Sequence, residues 1–188
     1  MGRTYEAIDD ELRAFIEAQH VFFVATAPLS GDGHVNLSPK GGDTLRVLDG
    51  RTIAWLDLTG SGVETLAHLR ENGRIVLMWC AFEGLPNIVR VHGRGEAVVE
   101  GDPRFDDLVA RFPDLPGIRS VVVVEAERVS SSCGFGVPLM AFVADRDRLQ
   151  VSHRKRGPEG MRRYRAEKNA VSIDGLPGFS EPTHARTP

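Results

Sequence analysis

Trp55-Leu-Asp-Leu-Thr-Gly-Ser-Gly-Val-Glu-Thr-Leu66 is where one kind of local structure gives way to another. Asp57 apart, the residues from Thr52 up to Leu58 are β-branched, aromatic or aliphatic and read as the end of a strand. The Thr-Gly-Ser-Gly that follows is a turn, and apolar Val63, Leu66, Ala67 and Leu69 then recur at helical spacing. A helix is expected over Ser61–Asn72, with Ser61 and Glu64 three apart as in a capping box. Such a helix start gathers unpaired backbone N–H groups, the positive end of the helix dipole, two glycines and the hydroxyls of Thr59, Ser61 and Thr65. These are the ingredients of a phosphate cradle, and they are equally those of a capped helix that binds nothing. The pattern is neither a Walker loop nor a dinucleotide fingerprint.

Moving outward, the same strand-and-turn grammar repeats. Val21–Ala27 reads as a buried strand, Gly31-Asp-Gly33 as a hairpin turn, and His34–Lys40 as the returning strand. Thr44–Leu48 and Thr52–Leu58 flank Asp49-Gly50, a second hairpin. Arg74–Phe82, Ile88–Glu100 and Arg119–Ser130 bring the total to at least seven strands. Tight glycine turns join most neighbours, so antiparallel pairing is expected. Helices sit at the margins: Asp9–Gln19, Asp102–Phe112 with Asp102 at the cap and Pro103 in the first turn, and the Arg- and Glu-rich Pro158–Asn169. The chain therefore reads as an α+β protein built on a small, mostly antiparallel barrel over 1–150, with a charged helix and a Pro/Gly-rich extension over 151–188. The last eight or so residues are expected to be mobile.

Composition narrows the function classes. The 188 residues carry 26 acidic and 23 basic side chains, net −3, which argues against a surface given over to nucleic acid or membrane. Two cysteines cannot form a disulfide framework, no apolar run approaches the roughly 20 residues of a membrane span, and the chain opens on an acidic, helical stretch rather than a basic-then-apolar leader. A soluble, cytoplasmic setting is the expectation. Basic residues cluster only at Arg154-Lys155-Arg156 and Arg162-Arg163 with Arg165, where Glu159 and Glu167 interrupt them, so a solvated helix is expected there rather than a nucleic-acid site. The six histidines lack metal-ligand spacing. Cys133 sits in a Gly-rich loop without a partner to activate it, and Cys80 reads as a small core residue. Only three residues are lysine, and Lys40 is the one in Ser38-Pro-Lys-Gly-Gly-Asp43, a loop whose glycines would let an ammonium reach a phosphate or an anionic ring.

The strings Asn36-Leu-Ser-Pro-Lys-Gly-Gly-Asp43, Asp57–Asn72 and Gly73–Trp79 resemble the pyridoxamine 5'-phosphate oxidase-related flavin-binding family, and Ser132–Pro138 and Lys168–Pro177 resemble an uncharacterised branch of it. The resemblance implies a split β-barrel that forms a homodimer and holds FMN at the interface. It places Ser38 and Lys40 at the end of the strand that contacts the flavin. Thr59, Gly60, Ser61 and Thr65 fall on the turn that receives the phosphate, and Asn87 near the strand that approaches the ring from the other subunit. Where the vitamin B6 oxidases have Ser-Arg-Lys, this chain has Val63-Glu64-Thr65, and their C-terminal Arg–His pattern is absent. Oxidation of pyridoxamine phosphate itself is therefore not expected. The resemblance implies a flavin-dependent oxidoreductase acting on a small molecule by hydride transfer at flavin N5, with no catalytic side chain assigned. A non-catalytic flavin, deazaflavin or haem-binding protein on the same barrel is the alternative.

Overall fold

In a computed structural model describing residues 2–180, the chain forms one eight-stranded antiparallel sheet with four helices. In chain order the elements are β1 (Arg3–Tyr5), α1 (Asp10–Glu17), β2 (Val21–Thr26), β3 (Asn36–Gly41), β4 (Leu45–Val47), β5 (Thr52–Leu58), α2 (Glu64–Asn72), β6 (Arg74–Cys80), β7 (Ile88–Val98), α3 (Phe105–Val109), β8 (Ile118–Ser132) and α4 (Arg148–Lys168). The ladder runs β3-β2-β6-β7-β8-β5-β4, with β1 added to the far end of β8. It begins at β3 and stops at β4, so the sheet curls into a barrel split between these two edges.

Alternation explains the curl. Inward residues of six strands, with Leu12 and Ile16 from α1, form one core, in which Val24, Ile53, Leu77, Val89, Val91, Val122 and Val124 are wholly buried and Phe22 packs against both Trp55 and Trp79. β2 alternates buried and half-buried side chains, so it is a half-covered wall strand and not the fully buried one its apolar run suggested. β5, by contrast, is buried on both faces: Ile53 and Trp55 enter the barrel, while Ala54 and Leu56 meet Val121 and Phe112 outside it.

The helices depart most from expectation. α1 starts as expected, with Asp9 accepting from the Leu12 N–H at 2.8 Å. α2 starts at Glu64, three residues late, with Val63 at the cap and no side-chain cap bond. The capping box does not form, because the Glu64 carboxylate accepts from the Ile173 N–H instead (3.3 Å). Around Asp102 a turn forms, its carboxylate taking both the backbone N–H and the guanidinium of Arg104, and only five residues of α3 remain. α4 begins ten residues earlier than expected, and Gly157 (φ 65°, ψ 174°) before Pro158 breaks it in two. After it the chain makes a small clasp, Val171 bridging Pro177, and ends on buried Phe179. The last eight residues lie outside the described ones.

Candidate functional site

On β3, side chains two apart share a face, so Asn36, Ser38 and Lys40 project together while Leu37 and Pro39 face the other way. Asn36 organises that face. Its amide nitrogen donates to Thr26 Oγ1 (3.2 Å) and Thr65 Oγ1 (3.0 Å), and its oxygen accepts from Ser38 Oγ (3.1 Å). Thr26 Oγ1 also lies 2.9 Å from His68 Nδ1. His68 is fully buried, with Nε2 unpartnered. Burial holds the His68 imidazole below its ordinary 6.5, against the pull of Asp174, Glu64 and Glu71.

Opposite β3 stands the turn between β5 and α2. Gly60, Ser61, Gly62, Glu64 and Thr65 line one side of a cavity of about 230 Å³, and Asn36, Ser38 and Lys40 line the other. Among the described residues, no backbone N–H from Gly60 to Thr65 has an acceptor. The floor is a buried ion pair. Asp57 pairs with Ser120 and Leu58 with Ile118, so Arg119 is the extra residue of a β-bulge, which re-aims its side chain. Its guanidinium clasps Asp57 (Nε–Oδ2 2.7 Å, Nη2–Oδ1 3.2 Å) and donates from Nη1 to the Gly62 carbonyl (2.9 Å). Ser120 also donates to Asp57, and Lys40 Nζ stands 3.9 Å from it.

The charges in and beneath this cavity cancel: Lys40 and Arg119 against Asp57 and Glu64. An anion entering here would be held by a row of backbone N–H groups at a helix start, by the hydroxyls of Ser61 and Thr65, and by the exposed part of Lys40. No group lining it is a histidine or cysteine. The arrangement is suited to holding an anion, and the charged side chains lining it are Lys40, Glu64 and Arg119.

Of the residues singled out in the sequence, Ser38, Lys40, Gly60, Ser61 and Thr65 come together at this cavity. Thr59 is buried behind it, its N–H and hydroxyl both donating to the Gly117 carbonyl (2.8 and 2.9 Å). Asn87 lies away from it, where Cys80 meets Ile88, its carbonyl accepting from the Ala81 N–H. Asn36, Asp57 and Arg119 were not anticipated as site residues. The only available signal was a charged residue just before a run of four valines, Val121 to Val124, and the bulge that turns Arg119 inward leaves no periodic trace.

Comparison with known proteins gives this geometry its context. Residues 8–133 match the family model described as pyridoxamine 5'-phosphate oxidase. The pyridoxamine 5'-phosphate oxidase family protein ustO of Aspergillus flavus is 38% identical over 196 residues, covering 93% of this chain and 77% of that protein. Among solved structures, HupZ from Group A Streptococcus superposes with a TM-score of 0.53 at 24% identity, over 65% of this chain and 91% of that one. A Lactobacillus delbrueckii protein described as a candidate pyridoxamine 5'-phosphate oxidase gives 0.52 at 20% identity, over 68% and 98%. The split barrel is thus a shared fold. The matched segment contains both walls of the cavity, from Asn36 to Arg119, and the chain belongs to the pyridoxamine 5'-phosphate oxidase family.

Proposed function

We propose that the chain is a flavin-binding oxidoreductase that takes FMN, with the phosphate on the Gly60–Thr65 turn and the ring lying along β3 over Ser38 and Lys40. The observation that carries this reading is the row of unpartnered N–H groups in a turn that lines one cavity together with Asn36, Ser38 and Lys40. The donor set fits a phosphate ester: N–H groups, two hydroxyls and one ammonium, with Asn36 fixing both Thr65 and Ser38 so that neither needs to reorganise on binding. A bound flavin supplies hydride transfer at N5, and the chain's own residues bind, orient and shield it.

At about 230 Å³ the cavity is smaller than the ~300–1,000 Å³ typical of sites that enclose a whole cofactor. Val35 and Leu37, neither of which lines it, are largely exposed apolar side chains. Both features suit a homodimer in which a second copy supplies the missing wall, with Asn87 of each copy reaching the other's ring. The substrate is a small molecule that meets the ring at that interface.

The test is titration of the purified chain with FMN, followed by quenching of flavin fluorescence, together with its mass in solution. Saturable binding at one FMN per chain in a dimer is expected. Absence of both FMN and deazaflavin binding overturns the cofactor reading. A bound flavin that no nicotinamide donor reduces would mark a holder of flavin and not an oxidoreductase.

A further inference from the structure

The carbonyls of Gly60, Ser61 and Gly62 accept side-chain hydrogen bonds, and that of Thr59, just before them, lies within hydrogen-bond distance of a histidine ring nitrogen. His153 Nε2 lies 2.8 Å from the Thr59 oxygen, and Asn169 Nδ2 donates to the oxygens of Gly60 (3.0 Å) and Ser61 (3.3 Å). The fourth, Gly62, is held by Arg119. In a planar trans peptide the carbonyl of one residue and the N–H of the next point in opposite directions. Fixing these carbonyls therefore also fixes the orientation of the N–H groups of Gly60, Ser61, Gly62 and Val63.

Three of the four contacts come from the C-terminal extension, beyond residue 133 where the family match ends. We propose that His153 and Asn169 are positioning residues of the anion site, and that the extension works as a built-in brace that presets the turn for phosphate. The inference rests on the reading that this turn receives the FMN phosphate.

The brace has the marks of a fitted part. Asn169 is fully buried, and its amide is oriented so that its nitrogen reaches both carbonyls of the turn while its own oxygen is left without a partner. Either amide orientation would leave something unpaired, and the one present favours the turn. His153 is wedged between two carbonyls, its Nδ1 lying 2.9 Å from the Pro116 oxygen, and a Cβ at Gly117 would run into its ring. Phe179, which ends the extension, packs on Val63 and Leu66 behind the helix start. A Cβ at Gly178 would collide with the Asn169 carbonyl and the Val63 methyls.

The experiment compares FMN with riboflavin, which lacks the phosphate, by fluorescence quenching of the full chain and of Asn169→Asp. The aspartate is isosteric but sets a carboxylate against the two carbonyls. The expected result is a loss of FMN affinity of about tenfold with riboflavin affinity unchanged within twofold. Asn169→Ala, which deletes the donors without adding charge, and His153→Gln, which keeps one donor, carry the same comparison if the aspartate does not fold, with smaller losses. Equal losses for both flavins would show a merely structural role, and unchanged FMN affinity would show no role; either overturns the brace alone. If the parent chain itself binds FMN no better than riboflavin, the phosphate reading of the turn falls and the brace falls with it.

Discussion

The barrel wall and the C-terminal extension are attached to the molecule by different physics. In the wall, Ile53, Trp55, Leu77, Val91, Val122 and Val124 interlock within one contiguous apolar core to which six strands contribute. α4 has more residues than β4, β5 and β6 together, yet within it only His153 and Met161 are buried. Among the other anchors of the extension are discrete contacts: the Arg165 guanidinium over the Phe179 ring, the two bonds of Asn169, and the clasp in which Glu64 takes the Ile173 N–H and Asp174 takes the His34 N–H. Apolar packing is spread over many contacts and indifferent to direction, whereas a hydrogen bond fixes the orientation of one peptide plane. The barrel thus supplies most of the apolar packing, and the extension adds directed bonds to a turn that Arg119 and Gly117 hold from the barrel side.

Truncating one aromatic in each region should break that contrast if it is wrong. Trp55→Ala removes a fully buried indole from the contiguous core and is expected to cost ~3–5 kcal/mol in chemical denaturation. Phe179→Ala removes a side chain that is also buried, but one that joins only Val63 and Leu66 with partial cover from Ala97 and Val99. Its expected global cost is about 1–2 kcal/mol, with faster amide exchange confined to the extension and the turn. Equal denaturation losses, with exchange rising throughout the barrel, would show the extension to be part of the same cooperative core.

Helix α2 also holds a buried titratable group on which the extension acts. His68 lies at 0% exposure under the β2–β3 hairpin, and Asp174 of the clasp is among the carboxylates acting on it. Because burial depresses its folded value below the ordinary 6.5, the unfolded chain binds the proton first. No stability is lost at high pH, where both states are neutral. As pH falls below about 6.5 the folded state loses up to ~1.4 kcal/mol per pH unit until His68 itself protonates. Other groups titrate nearby, so the diagnostic quantity is the difference from His68→Gln, which should lack this component. Matching pH profiles for the two proteins would mean that the imidazole is not held neutral by its surroundings.

How far the sequence foretold this depends on the range of the interaction involved. Alternation and glycine turns are local, and they located β2 to β8 to within a few residues; the three-residue β1 has no period to detect and was missed. Lys40 stood out as a lone lysine before two glycines, and Gly60, Ser61 and Thr65 as parts of a Gly-rich helix start, all readable within a dozen residues, whereas Ser38 came only with the family resemblance. Arg119 was not legible, because a bulge changes parity without changing composition. His153 and Asn169 were further from reach: each acts on a turn more than 90 positions away, and nothing in their own neighbourhoods distinguishes them from solvated residues of a charged helix. The capping box failed for the same reason, a long-range partner at Ile173 outcompeting the local one.

Glu64 is the point where wall and extension meet, and it gives the smallest and most pointed test of their division of labour. Its carboxylate lines the cavity at the positive end of α2, and through Oε1 it also holds the clasp. The first role should oppose a bound phosphate, because the helix end and the backbone N–H groups are then shared between two anions. The second should be indifferent to charge, because a neutral amide oxygen accepts the same N–H. Glu64→Gln separates them. It is expected to tighten FMN about two- to fivefold, ~0.3–1 kcal/mol, to leave riboflavin affinity unchanged, and to shift the thermal midpoint little. Weaker FMN binding together with faster exchange at Ile173 would mean that the clasp needs the full carboxylate. The extension would then set the cavity's charge as well as its shape.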